Sequence, residues 1–246
     1  MYLSRKVNLK KRALKTFYYD FFATFAFHIL TNMYNVSDIE KYISEHTSAE
    51  DSLLCELDRA TNLRVVQARM ISGLVQGKFL ELISKMTAPV RILEIGTFTG
   101  YSAICLAKGL RDGGQLHTIE INDELEDISS EFFAKSGMSD RIIQHIGPAL
   151  EVMPTLGIVF DLVFIDGNKR EYVEYYDMLM DNNMVRSGSV IIADNVIWYE
   201  KVIQDVAKND TQTQKIIEFN DKIQQDVRVE NVMLDIRDGM SVIRVK

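Results

Sequence analysis

Several short stretches place oxygen and nitrogen groups where alternating strands and helices would gather them at one edge of a sheet. The first is Glu94-Ile95-Gly96-Thr97-Phe98-Thr99-Gly100, which follows the apolar run Val90-Arg91-Ile92-Leu93. Gly96 allows a sharp turn and close approach of the backbone to a ligand. Gly100 and Ser102 fall where a helix would start and leave N–H groups without partners. The Glu-x-Gly-x-x-x-Gly spacing differs from the Gly-x-Gly-x-x-Gly of dinucleotide binders, which argues against a nicotinamide dehydrogenase. An acid ahead of the first glycine suits a ligand with a cationic end. Glu120 ends the next apolar run, Gln115–Glu120, where a carboxylate can accept from both hydroxyls of a ribose.

Two further apolar runs end in acids. Asp166 follows Val163-Phe164-Ile165, and Asp194-Asn195 follows Ile191-Ile192-Ala193. Two carboxylates and an amide oxygen make a hard donor set suited to Mg²⁺, Mn²⁺ or Ca²⁺ and poor for zinc. Such a set fills three of about six positions and leaves room for water and two substrate oxygens. Lys169 follows Asp166 closely enough for its amine to reach the same place, where a neighbouring cation favours the neutral, proton-accepting amine.

The elements that must position these groups are legible from hydrophobic period and turn residues. Helical patterns cover Val36–Leu63, with N-cap chemistry at Ser37-Asp38-Ile39-Glu40, and Ala68–Met86, after which Pro89 breaks the chain. From there strands are expected at 90–94, 115–120, 141–146, 160–166 and 189–194. Helices are expected after Gly100 to Leu110 and over 124–137, 172–184 and 211–225. Two closing strands, Arg228–Ile236 and Met240–Val245, are joined across Arg237-Asp238-Gly239, a hairpin signal. The run Phe160–Ile165 is almost wholly apolar, as expected of a strand covered on both faces. The predicted fold is α/β, a doubly wound, mostly parallel seven-stranded sheet with a C-terminal antiparallel hairpin. His117 and His145 lie inside strands and read as core or sheet-face residues. Trp198, Tyr199 and Tyr172 are candidates to wall a planar acceptor.

The chain has 246 residues, 47% of them hydrophobic and 26% charged, enough for one well-buried domain. Cys55 and Cys105 form neither a metal-ligand spacing nor a disulfide framework, which points to a reducing cytoplasm. Net charge is −7, yet residues 1–16 hold Arg5, Lys6, Lys10, Lys11, Arg12 and Lys15 and no acid, so the remainder is more acidic still. Such a body argues against broad electrostatic capture of nucleic acid. The aromatic run Phe17–Leu30 is too short to span a bilayer and is broken by Asp20 and His28, with no small-residue cleavage site after it. Residues 1–32 therefore read as an extension ahead of a domain covering 33–246, with Met33 the expected start. A docked amphipathic helix and a targeting segment are the alternatives.

With these motifs in hand, the chain resembles the cation-dependent O-methyltransferase family that includes catechol and caffeoyl-CoA O-methyltransferases. The resemblance runs from about Met33 onward. It is carried by Leu93–Ser102, Phe164-Ile165-Asp166-Gly167-Asn168-Lys169, Ala193-Asp194-Asn195-Val196-Ile197-Trp198 and Met70-Ile71-Ser72-Gly73-Leu74-Val75-Gln76-Gly77. It implies a class I methyltransferase, Rossmann-like in fold, that uses S-adenosylmethionine and Mg²⁺ or another hard divalent cation, commonly as a homodimer. By position, Met70 and Ser72 would line the donor pocket. Glu94, Gly96 and Ser102 would hold its methionine end, with Thr97 and Gly100 of the same turn also in the donor site. Glu120 would hold the ribose, and a backbone group of Ala149, in Gly147-Pro148-Ala149-Leu150, the adenine. Asp166, Asp194 and Asn195 match the metal ligands, Asp166 also lying near the donor, and Lys169 matches the catalytic base.

Two departures fall beside the acceptor. Plant CoA-ester enzymes carry Asp-Ala-Asp-Lys where this chain has Asp166-Gly167-Asn168-Lys169, and many bacterial relatives have glycine near Glu200. The expected reaction is methyl transfer to a hydroxyl of a small, catechol-like or aromatic acceptor. Hydroxylated uridine of tRNA is the alternative acceptor, and a donor-binding protein without catalysis a third reading.

Overall fold

Strand, helix and turn alternate along the chain as the hydrophobic pattern predicts. The computed structural model describes residues 36–246. Helix α1 (Val36–Glu45) belongs to one unit, and Ala49–Lys246 forms another that holds every strand-end acid. The boundary expected at Met33, and the basic and aromatic segment before it, lie outside the described residues.

The second unit opens with α2 (Ser52–Arg64) and α3 (Gly73–Thr87). Then come β1 (Arg91–Ile95), α4 (Tyr101–Ala107), β2 (Gln115–Glu120), α5 (Glu126–Lys135), β3 (Ile142–Ile146) and α6 (Ala149–Leu156). It continues through β4 (Phe160–Ile165), α7 (Tyr172–Asp181), β5 (Val185–Asp194), α8 (Thr211–Gln225), β6 (Val229–Leu234) and β7 (Met240–Val245). The seven strands lie in the order β3-β2-β1-β4-β5-β7-β6. Only β7 runs antiparallel, pairing with β5 on one side and β6 on the other. Strand order reverses between β1 and β4, so their carboxyl ends flank the crevice where doubly wound sheets bind ligands.

Alternating side chains of the central strands enter two cores. Leu93, Ile95, Ile119, Val163, Ile165 and Ile191 meet one helical layer, in which Met153, Tyr176, Leu179 and Phe219 are fully buried. Ile92, Leu116, Leu162, Phe164 and Ile192 meet the other, built on Leu54, Leu80, Ile104 and Phe132. Each such burial contributes roughly 1.5–3 kcal/mol, which holds the strand ends rigid. His117 and His145 stack on one sheet face with Nδ1 of His117 3.0 Å from Nε2 of His145, and burial pushes His117 down to about 4.

The first helical stretch is interrupted rather than continuous. Asp51 caps α2 by accepting the Leu54 N–H at 2.9 Å, and the chain between α1 and α2 leaves the helix. The second is shorter than predicted: Gln67 adopts a left-handed conformation, Ala68–Met70 makes a single 3₁₀ turn, and α3 starts only at Gly73. Strand β5 begins earlier than expected, at Val185, and accommodates Gly188 (φ +88°) opposite an irregularity in its pairing with β4. Among the described residues no helix is long and apolar enough to cross a membrane.

Candidate active site

The residues just past β1, β3 and β4 each stitch their strand to the end of its neighbour. Gly96 N–H donates to Ile119 O at 2.9 Å, Asp166 N–H to Ile95 O at 2.8 Å, and Gly147 N–H to Glu120 O at 2.8 Å. A Cβ on Gly96, whose φ is +101°, would lie 2.4 Å from the Asp166 carbonyl oxygen. The turn therefore brings the donor side and the Asp166 side into van der Waals contact. Gly96→Ala is expected to lower stability by about 1–3 kcal/mol, combining left-handed strain with the clash, read as a drop in the thermal midpoint.

Glu94 is fully buried behind this turn. Its Oε2 accepts the Thr118 hydroxyl at 2.6 Å, and that hydroxyl lies 2.5 Å from the Thr97 hydroxyl. Its Oε1 is buried without a well-formed hydrogen bond among the described residues, although the Ser102 hydroxyl lies near enough to favour the ionised carboxylate. Burial pushes the carboxyl up to about 8. An unpaired buried acceptor costs roughly 1–3 kcal/mol, and a cationic donor group would both pair it and restore its charge. In front lies a narrow crevice lined by Met70, Ser72, Gly96, Thr97, Ser102 and Asp166. Gly100 faces neither this crevice nor the larger cavity. It caps α4 at φ +91°, and a Cβ there would meet the Phe133 ring.

Glu120 accepts the Phe98 N–H at 2.8 Å and the Asn122 N–H at 3.0 Å, using about two of a carboxylate's four acceptor positions. It lines a cavity of about 1080 Å³ together with Met70, Gly96 and Ala149. Ala149 is the first residue of α6, where N–H groups lack intrahelical partners.

The same cavity reaches Asp166, Lys169, Asp194 and Asn195. Lys169 Nζ is 2.6 Å from Asp166 Oδ1 and lies over the Tyr172 ring, 5.1 Å from its centroid. Asp194 Oδ2 accepts from Gln76 Nε2 at 2.7 Å, and Oδ1 from the Asn195 N–H at 2.8 Å. Burial and repulsion from Asp166 push the Asp194 carboxyl up to about 6. Lys169 thus pairs with Asp166 directly and acts on Asp194 only through its charge. Among the described residues no cluster of three or more His, Cys, Asp or Glu forms a metal centre, so the available set is two carboxylates and the Asn195 amide. A hard divalent cation fits that set: its charge offsets the repulsion, and its ligand preference is for oxygen.

Trp198 and Tyr199 line the cavity with rings 5.4 Å apart in an edge contact. Tyr172 does not, contrary to expectation. It is fully buried against Phe219, and its hydroxyl donates to the Ile165 and Asp194 carbonyls at 3.2 and 3.1 Å. Tyr175, one turn along α7, takes its place on the wall, its hydroxyl donating to Glu171 at 2.6 Å. Trp198, Tyr199 and Glu200 hold three consecutive left-handed conformations (φ +51°, +55° and +57°). Gln76, Tyr175, Arg237 and Asp238 also reach this region. In the sequence Arg237-Asp238 reads only as a hairpin turn and Gln76 only as part of the run Met70–Gly77, and none of the four has an assigned place in the site.

This strand order, with the Glu94 turn at the point of reversal, defines a class I methyltransferase fold. Residues 44–246 match the O-methyltransferase family, and the chain belongs to it. It is 32% identical over 224 residues to a caffeoyl-CoA O-methyltransferase of Populus kitakamiensis, covering 84% of this chain and 92% of that one. It is 31% identical over 220 residues to a catechol O-methyltransferase of Niastella koreensis, covering 85% and 96%. Among solved structures, a Podospora anserina methyltransferase bound to S-adenosylhomocysteine superposes with a TM-score of 0.80 at 30% identity, over 87% of this chain and 97% of that one. A Bacillus cereus O-methyltransferase in complex with the same product gives 0.77 at 30% identity, over 85% and 97%.

Proposed function

We propose that this enzyme transfers the methyl group of S-adenosylmethionine to a hydroxyl of a small aromatic, catechol-like acceptor. In this reading Asp166, Asp194 and Asn195 hold a divalent cation such as Mg²⁺, and Lys169 is the base. The observation that carries the reading is the double position of Asp166. It lines the donor crevice, lines the acceptor cavity and pairs with Lys169.

The donor residues play separate parts. Glu94 offers an unpaired carboxylate oxygen to the cationic end, while Ser72, Thr97 and Ser102 offer polar groups along the crevice. Glu120 offers its remaining acceptor positions to the ribose, and the start of α6 at Ala149 borders the base. A bound divalent cation supplies Lewis acidity that lowers the pKa of an acceptor hydroxyl. Lys169 Nζ sits 2.6 Å from Asp166 Oδ1, and both residues line the same cavity. Lys169 Nζ then takes the hydroxyl proton. The oxygen pair forms a bond to the methyl carbon, the carbon–sulfur bond breaks, and its pair stays on sulfur as a neutral thioether. Trp198, Tyr199 and Tyr175 flatten the space for a planar ring and keep water out.

Lys169→Met is expected to lower kcat by about 10²–10⁴-fold, the range for loss of a general base, with S-adenosylhomocysteine affinity changed less than about threefold. Excess chelator should stop turnover of a catechol panel and Mg²⁺ should restore it. Full activity in chelator would remove the cation from this reading, and labelled methyl appearing in tRNA but not in catechols would move the acceptor.

A further inference from the structure

The loop Arg237-Asp238-Gly239 bonds in two directions. Toward the acceptor side, Val196 N–H donates to Gly239 O at 3.1 Å, Ile197 N–H to Asp238 O at 3.0 Å, and Tyr199 N–H to Asp238 Oδ1 at 2.5 Å. Toward the donor side, Arg237 Nη1 donates to Ile71 O at 3.0 Å, to Ser72 O, and to Gln76 Oε1 at 2.9 Å. Arg237 holds φ at +54°, a conformation glycine adopts freely and other residues resist. The strain is maintained where the guanidinium has three acceptors to serve.

Gln76 carries the connection onward. It is almost completely buried and both ends of its amide are used. Arginine has only donors, so Oε1 must face Arg237 and Nε2 is left to donate to Asp194 Oδ2. The Asp194 carboxylate is thereby held in one rotation, with each oxygen already accepting one bond and retaining a free lone pair.

We propose that Gln76 and Arg237 are positioning residues that lock the donor-facing turn Met70–Ser72 and the Asp194 carboxylate into one unit, so that donor and divalent cation bind with positive coupling. This rests on the proposed donor and cation sites. A donor product seated against Met70 and Ser72 orders the Ile71 and Ser72 carbonyls, which orders Arg237, which fixes Gln76 and hence Asp194. Linkage requires the same factor in reverse.

The test is a Mn²⁺ titration of the full chain, read by the electron paramagnetic resonance of free Mn²⁺, with and without saturating S-adenosylhomocysteine. Calorimetry of S-adenosylhomocysteine without cation accompanies it. Wild type should bind Mn²⁺ at least about fivefold more tightly with the product present, within the usual range of coupling. Arg237→Gly suits the left-handed backbone and Gln76→Met keeps the buried volume, so both should fold. Their thermal midpoints should stay within about ten degrees of wild type, the drop reflecting the polar groups left unpaired. Each should reduce the coupling to less than about twofold, and Arg237→Lys should restore part of it. Unchanged coupling in both folded variants overturns the inference, as does its absence in wild type when both ligands bind. Failure of wild type to bind either ligand alone instead overturns the reading of the site itself.

Discussion

Asp166→Ala is expected to abolish methyl transfer, lowering kcat/KM by about a thousandfold or more, at or beyond the upper end of single-group electrostatic losses. Three effects converge at this residue. The residue lines both the donor crevice and the large cavity, its charge raises the Asp194 carboxyl, and its carboxylate pairs with Lys169 at 2.6 Å. Lys169 is itself buried, so alanine leaves a desolvated cation without its counter-charge, which is strongly destabilising. Asp166→Asn separates chemistry from folding, because the amide keeps the shape and can still accept from the ammonium. That variant should hold its thermal midpoint to within a few degrees and bind S-adenosylhomocysteine within about tenfold of wild type, since Glu94 and its threonines are untouched. Its turnover should still fall at least about a hundredfold. An asparagine enzyme keeping a tenth of wild-type activity would refute the central place given to Asp166.

Glu94→Gln should weaken S-adenosylhomocysteine binding by about 10–100-fold, corresponding to a charge-assisted hydrogen bond worth roughly 1.5–3 kcal/mol. Isothermal calorimetry reads this directly. The pH behaviour of wild type is more diagnostic. Burial lifts the Glu94 carboxyl from an ordinary 4.5 to about 8, so the folded protein keeps a proton that the unfolded chain gives up. Its stabilising contribution is full below about 4.5 and is lost as pH rises through about 8. The ammonium of the ligand prefers the ionised form, so affinity should move oppositely and climb by up to about tenfold per pH unit until near 8. At pH 7 binding should release a proton, detected as a dependence of the heat on buffer ionisation enthalpy. Glu94→Gln should abolish that release and flatten the profile. A buffer-independent heat in wild type would show that Glu94 is already ionised before the ligand arrives.

The strand-end acids were legible because each closes an apolar run that only a buried central strand would contain, and the topology then forces those ends together. Glu94, Glu120, Asp166 and Asp194 come from four adjacent strands for that reason. Helix α6 gave no such pattern: it is short and holds Pro154 between Pro148 and Gly157, residues that read locally as turns. Side-chain direction on a helix was equally opaque. Tyr172 and Tyr175 are three residues apart at the start of α7 and both are buried, and tertiary packing alone decides which borders the cavity. The Gln76–Arg237 bond joins residues 161 apart, a separation over which local pattern carries no information. The Asp51 cap falls inside what the sequence reads as one continuous helix, Val36–Leu63, which conceals it.

Placing β7 between β5 and β6 has a consequence for the order in which the molecule can assemble during synthesis. Until β7 emerges, β5 is an exposed edge and Asp194 lies at the end of a strand paired on one side only. The part of the site at the ends of β1, β2 and β4 can form earlier in translation than the Asp194 edge. Ribosome-bound chains lacking β6 and β7 would therefore present the nucleoside half of the site while β5 still offers open backbone groups to other chains, a window in which aggregation competes with completion.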